Sequence, residues 1–152
     1  MKKKIIGLLL CFTTILCLTG CKKFKSYTFK VETGDKIKIK METSDGYNLT
    51  SNLPIEFSKD SDVLSQGTFA KAETYDTYKN SLKFQYGVEI LEEKETNNIE
   101  YLFYKYNNSI ANITEYNYII KIKNSNTCFI LGNKLSKEKA KEIFNRLTIS
   151  VE

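Results

Sequence analysis

The chain has 152 residues, 41% of them hydrophobic and 27% charged, with a formal net charge of +5. That composition excludes collagen-like, disulfide-dense and multi-span membrane classes and leaves room for one domain. Histidine is absent, so the chain has no His-dependent triad and no His-ligated metal centre, and its single arginine, Arg146, argues against a nucleic-acid-binding face.

In chain order, the first element is a leader. Lys2, Lys3 and Lys4 form a positive segment, and Ile5 to Leu18 carries no charge. About 20 apolar residues are needed for a helix to span a bilayer, so this run is too short to span and fits the core of an export signal. It ends in Leu18-Thr19-Gly20-Cys21. This ending resembles the lipobox of bacterial lipoproteins. The resemblance implies a diacylglyceryl group on Cys21, cleavage between Gly20 and Cys21, and residence on the outer face of the cell membrane. It makes the membrane the first expected partner. Without residues 1–20 the formal charge falls to +2. Lys22-Lys23-Phe24-Lys25-Ser26 then reads as a short basic tether over 21–26, with a single domain over 27–152.

Of the four cysteines, Cys11 and Cys17 lie in the leader and Cys21 in the box, which leaves Cys128. One cysteine makes no internal disulfide. Cys128 sits in the apolar run Thr127-Cys128-Phe129-Ile130-Leu131 and reads as a small buried hydrophobe.

Tyr27, Phe29 and Val31 alternate with polar residues, as do Ile37, Ile39 and Met41; each set predicts a strand with one buried face. Thr33-Gly34-Asp35 between them predicts a hairpin loop, and Asp45-Gly46 a turn before Tyr47 and Leu49. Residues 52–67, with the only proline at Pro54, read as irregular. Ala72, Tyr75, Tyr78 and Leu82 have helical spacing and predict a short helix over 72–82. Phe84–Glu92 and Ile99–Tyr106 predict two strands around Asn97-Asn98, where left-handed backbone suits a tight hairpin. Tyr116–Lys123 and Thr127–Leu131 predict another pair. A final helix starts at the N-cap Ser136, with Leu135 before the cap placed to staple against Ala140. Its apolar stripe is Ala140, Ile143, Phe144 and Leu147, with Phe144 in a core position and Lys141 on the opposite face.

The fold class expected is α+β, a twisted antiparallel sheet flanked by helices. The element order, Gly67-Thr68-Phe69 leading into the Tyr75/Tyr78 helix, and the Phe144-to-Ser150 ending resemble the PsbP-like family, which includes the bacterial DcrB-like lipoproteins. That resemblance implies an α/β/α sandwich and a protein that binds partners without shared catalytic residues. A small lipocalin-like barrel with a C-terminal helix is the alternative architecture.

Candidate chemistry is sparse. Ser136-Lys137-Glu138-Lys139 fits S-x-x-K, but the companion motifs of penicillin-binding proteins are missing, and an N-cap explains Ser136. Glu92, Glu93 and Glu95 with Asp60 and Asp62 could supply a carboxylate pair for glycoside hydrolysis. Asp60-Ser61-Asp62 lacks the Gly and Glu of an EF-hand loop, and one cysteine without histidine leaves zinc no ligand set. No cofactor is expected. Ten tyrosines stand out; Tyr104, Tyr106, Tyr116 and Tyr118 on neighbouring strands are read either as core packed under helices on both faces or as a candidate binding surface for an envelope protein or other ligand. The reading is therefore a non-catalytic, lipid-anchored interaction module. A small carboxylate hydrolase and a lipocalin-like carrier of an apolar ligand are the alternatives.

Overall fold

The computed structural model describes residues 22–152; the leader and Cys21 lie outside the described residues. Among the described residues the fold is mostly antiparallel β-sheet with two α-helices and no closed barrel. The lipocalin-like alternative is thereby corrected: the strands form two open sheets with free edges.

The first sheet has three strands. β1 (Phe24–Lys30) pairs with β2 (Lys36–Glu42), and β2 pairs on its other side with β10 (Leu147–Val151). The alternation is as expected: Ile37, Ile39 and Met41 are fully buried while the lysines between them face out. β1 starts three residues earlier than Tyr27, so Phe24, Lys25 and Ser26 belong to the strand and not to a tether. Lys22 reaches Glu42 at 3.1 Å, and the Lys23 carbonyl accepts the Thr43 N–H at 2.8 Å.

The second sheet has seven strands in the order β3-β4-β5-β9-β8-β7-β6. They are β3 (Tyr47–Leu49), β4 (Ile55–Lys59), β5 (Asp62–Lys71), β6 (Val88–Glu95), β7 (Ile99–Asn108), β8 (Ile113–Ile122) and β9 (Thr127–Asn133). Two sequence readings are corrected here. Residues 52–67 are not irregular, since they hold β4 and most of β5. The strand expected from Phe84 begins at Val88, because Leu82–Phe84 is a short 3-10 helix. The hairpin between β6 and β7 uses three residues, and left-handed backbone falls instead at Asn112 (φ 51) in the β7–β8 turn and Asn124 (φ 60) in the β8–β9 turn.

Each face of the seven-stranded sheet is covered by a different layer. One face meets the three-stranded sheet and the C-terminal helix α2 (Lys137–Asn145) in a cluster that includes Phe57, Phe103, Tyr118, Phe129 and Ile143. The other face carries α1 (Ala72–Ser81), whose buried Tyr75 joins Leu102, Tyr104, Ile119 and Cys128. Ser136 caps α2, its Oγ accepting the Lys139 N–H at 3.4 Å. Leu147 does not extend the helix; it opens β10, so the apolar stripe ends at Phe144. Phe144 is half-buried and stacks on Tyr118 with centroids 4.2 Å apart. Lys141 is not on a free face, for its Nζ sits 3.0 Å from Glu92. Arg146 lies over the Tyr47 ring and reaches the Ser44 carbonyl, tying the end of α2 to the turn before β3.

At one position in the core the packing depends on glycine. Gly67 in β5 faces the buried Phe129 ring across the sheet, and a Cβ there would overlap the ring. The ring is held by Phe69 at 5.2 Å and Phe57 at 6.4 Å.

Candidate functional site

The acids singled out as a hydrolase pair do not converge. Glu92 accepts from the Tyr101 hydroxyl at 2.7 Å and from Lys141 at 3.0 Å. Those bonds, the Tyr101 hydroxyl first, hold its pKa below the ordinary carboxylate value. Burial, with the Glu92 bond second, pushes Tyr101 up to about 12. Glu93 pairs with Lys79, and Glu95 with Lys123. Asp60 lies in the β4–β5 turn and Asp62 opens β5, a strand separated from β6 by β9, β8 and β7. Among the described residues no cluster of three acids or cysteines is placed to hold a metal ion.

Cys128 is fully buried beneath Tyr75, and burial pushes its thiol up to about 11, so it is protonated and unreactive near neutral pH.

The four tyrosines do not share a surface. Tyr118 is buried between Phe103 and Phe144 on one face of the sheet, and Tyr104 is buried on the opposite face. Tyr116 and Tyr106 are half-buried, again on opposite faces. Strand alternation dictates this, because Tyr104 and Tyr106 of β7 share a face with Leu102, while Tyr116 and Tyr118 of β8 share one with Ile120.

Two features were not anticipated. At the end of the sheet where β8 and β9 diverge, Asn117 and Asn133 bridge the strands. The Asn133 N–H donates to Asn117 Oδ1 at 2.9 Å, the Asn133 amide donates to the Tyr116 carbonyl at 2.8 Å, and Ser65 bonds Asn133 from β5. A recess of about 320 Å3 opens beside them, lined by Leu64, Gln66, Glu115 and Lys134 among others.

The second feature is at the opposite end, where the β1–β2 turn meets the β8–β9 turn. Asp35 Oδ2 accepts from the Thr127 hydroxyl at 2.7 Å, the Asn126 N–H at 2.8 Å and the Thr33 hydroxyl at 3.0 Å. This clasp joins the two sheets. Beside it lies a cleft of about 330 Å3 with apolar walls from Val31, Leu53, Phe69 and Ala70 and a rim of Lys30 and Lys71. Its size is at the lower end of small-ligand sites. The signal in the sequence was Asp35 in a loop with Gly34, but its partners Asn126 and Thr127 are some 90 residues away and invisible to local pattern.

The clasp has a measurable pH signature. The Thr127 hydroxyl, followed by the Asn126 N–H and Thr33, keeps Asp35 below its ordinary value of 3.8. A depressed folded pKa adds stability above the unfolded value, and that stability is lost as pH falls through the folded value. Asp35→Asn is expected to cost about 1.5–3 kcal/mol at pH 7 and to flatten the loss of stability below about pH 4. Denaturant melts of both proteins at several pH values check this, and parallel pH profiles would show that Asp35 is not held by the clasp.

No protein-family model matches the chain, and no curated protein matches it.

Proposed function

We propose that the chain is a lipid-anchored lipoprotein of the bacterial cell envelope whose domain is a non-catalytic binding module. The observation that carries this reading is the junction between leader and fold. β1 starts at Phe24, and Lys22 and Lys23 are already tied to β2 and to the residue after it, so the fold engages the chain within one residue of Cys21. The described fold uses nothing before Lys22, so cleavage ahead of Cys21 would leave it whole. The cleft beside the Asp35 clasp is the ligand site of this module, since it lies at the end of the sheets opposite Lys22 and points away from the anchoring surface. A helix on one face of the seven-stranded sheet and a sheet with a helix on the other are read as a variant of the PsbP-like sandwich. The carboxylate hydrolase reading loses its support, because each β6 acid proposed for it is paired with a lysine.

Cys21→Ser is expected to abolish incorporation of labelled fatty acid and to leave a larger, unprocessed precursor in the membrane fraction. Undiminished incorporation in the variant would refute the lipoprotein reading.

A further inference from the structure

Eight large hydrophobic side chains are exposed among the described residues, and they are not scattered. The strand registers place Phe24, Val63, Phe84, Tyr86, Ile110 and Ile113 at one end of the molecule. β5 begins at Asp62, β8 begins at Ile113, β7 ends at Asn108 and β6 begins at Val88, and in an antiparallel sheet these termini lie at the same end. The Asn107 N–H donates to the Gly87 carbonyl at 2.8 Å, which puts Tyr86 beside the end of β7. Phe24 joins them because the Lys23 N–H meets Ser44 Oγ at 3.3 Å and the Asp60 N–H meets the Gly46 carbonyl at 3.1 Å, setting the start of β1 beside the β4–β5 turn. Leu53 and Val151, the other two, lie towards the far end.

Isolated exposed hydrophobics are ordinary, but a set confined to one end marks an interaction surface. Ile110 is 99% exposed, Tyr86 89% and Phe84 83%, so these side chains have no use within the fold. This is also the end from which the chain leaves towards Cys21. Two residues of chain span at most about 7 Å, so a lipid on Cys21 would be tethered at this end.

We propose that this end of the domain docks on the bilayer, with Phe24, Phe84, Tyr86, Ile110 and their neighbours immersed in the interfacial layer around the anchor. The proposal rests on the lipoprotein reading for its geometry. Aromatic side chains favour the headgroup boundary, where the ring is dehydrated and the tyrosine hydroxyl stays wet. Charge is not the driving force. Lys22 is engaged by Glu42, Lys25 by Asn48 and Lys40 by the Phe24 ring, while Lys23, Lys59, Lys83 and Lys134 share this end with Asp45, Asp60, Asp62 and Glu115. Docking therefore does not require anionic lipid. It also sets the orientation, with the Asp35 clasp and its cleft outermost.

The chain has no tryptophan, so a single introduced one reports its own surroundings. Ile110→Trp and, as the far-end control, Leu53→Trp are made in the full chain, extracted from membranes and reconstituted into zwitterionic vesicles with brominated acyl chains. Ile110→Trp fluorescence is expected to shift to the blue and to be quenched several-fold more than that of Leu53→Trp. Equal quenching of the two, or a blue shift of Ile110→Trp that grows with protein concentration without vesicles, would overturn the proposal; the latter would mean that this end pairs with a second copy. Intact mass of the same samples reads the anchor separately. Lipid on Cys21 with equal quenching rejects the docking and keeps the lipoprotein reading, whereas selective quenching without lipid rejects the anchor and keeps the docking.

Discussion

Phe129→Ala is expected to lower the unfolding free energy by about 3–5 kcal/mol, a large share of the roughly 5–15 kcal/mol that holds a domain together. Phe129 is fully buried at the point where β5, β9 and the three-stranded sheet meet, with Phe57 and Phe69 against it and Phe29 behind Phe69 at 5.5 Å. Its ring occupies the volume that a side chain at 67 would fill. The two positions are therefore coupled in a way that a double mutant can read. Gly67→Ala alone is expected to cost about 1–3 kcal/mol, since the added methyl overlaps a ring that has nowhere to go. In the Phe129→Ala background the same methyl enters vacated space, and its cost should vanish. Urea melts of the four proteins give the coupling; equal costs for Gly67→Ala in both backgrounds would mean that the ring does not seat on the glycine.

The second large effect is expected at Tyr75, the only fully buried residue of α1. Its ring sits in the cluster with Leu102, Ile119 and Cys128, and its hydroxyl donates to Glu100 at 3.0 Å. Burial raises the Glu100 pKa, but Lys79, followed by the Tyr75 hydroxyl, outweighs it and leaves the carboxyl below its ordinary value. Tyr75→Ala removes both the ring and the bond and is expected to cost about 3–5 kcal/mol. Tyr75→Phe keeps the ring and leaves Glu100 with Lys79, so about 1–2 kcal/mol is expected. A local readout separates unseating of the helix from global loss. Cys128 lies beneath Tyr75, so its alkylation rate should rise steeply in Tyr75→Ala and barely in Tyr75→Phe. Unchanged alkylation in Tyr75→Ala would show that α1 is not what shields the thiol.

Much of this architecture was legible in residue order. β1 and β2 follow from period-two alternation, α1 from Tyr75 and Tyr78, and α2 from the Ser136 cap and the Ile143 stripe. β5 escaped because its core-facing positions include Ser65 and Gly67, which carry no hydrophobic signal; Phe129 and Asn133 supply the missing volume from the next strand. β10 was hidden because Leu147 continues the helical spacing of α2, while the strand exists only through its pairing with β2. The tyrosines show a different limit. Alternation tells that Tyr104 and Tyr106 face one way and Tyr101 the other, but both faces turn out to be covered, and no local pattern reveals what covers them. Asn117 interrupts the apolar stretch from Tyr116 to Ile120, and it marks the fork where β8 and β9 diverge.

The pairing of β10 with β2 also bears on how the chain acquires its structure. Ile39 lies between Tyr27 and Ile149, so the centre of the three-stranded sheet joins residues at nearly opposite ends of the sequence. Contacts of such long sequence separation form late, because the intervening loop must close before they repay its entropy. On the lipoprotein reading proposed above, the chain is threaded through a membrane from its N-terminus, and the first hairpin then emerges long before the strand that completes it. Until residues 147–151 follow, one edge of β2 stays unpaired and Ile37, Ile39 and Met41 lack part of their cover. On that reading folding cannot run to completion during translocation, and for a short interval after it begins the emerging hairpin is open to wrong partners. Lys38 and Lys40 between its apolar residues, with Lys36 before them, would oppose pairing of that exposed edge with another copy.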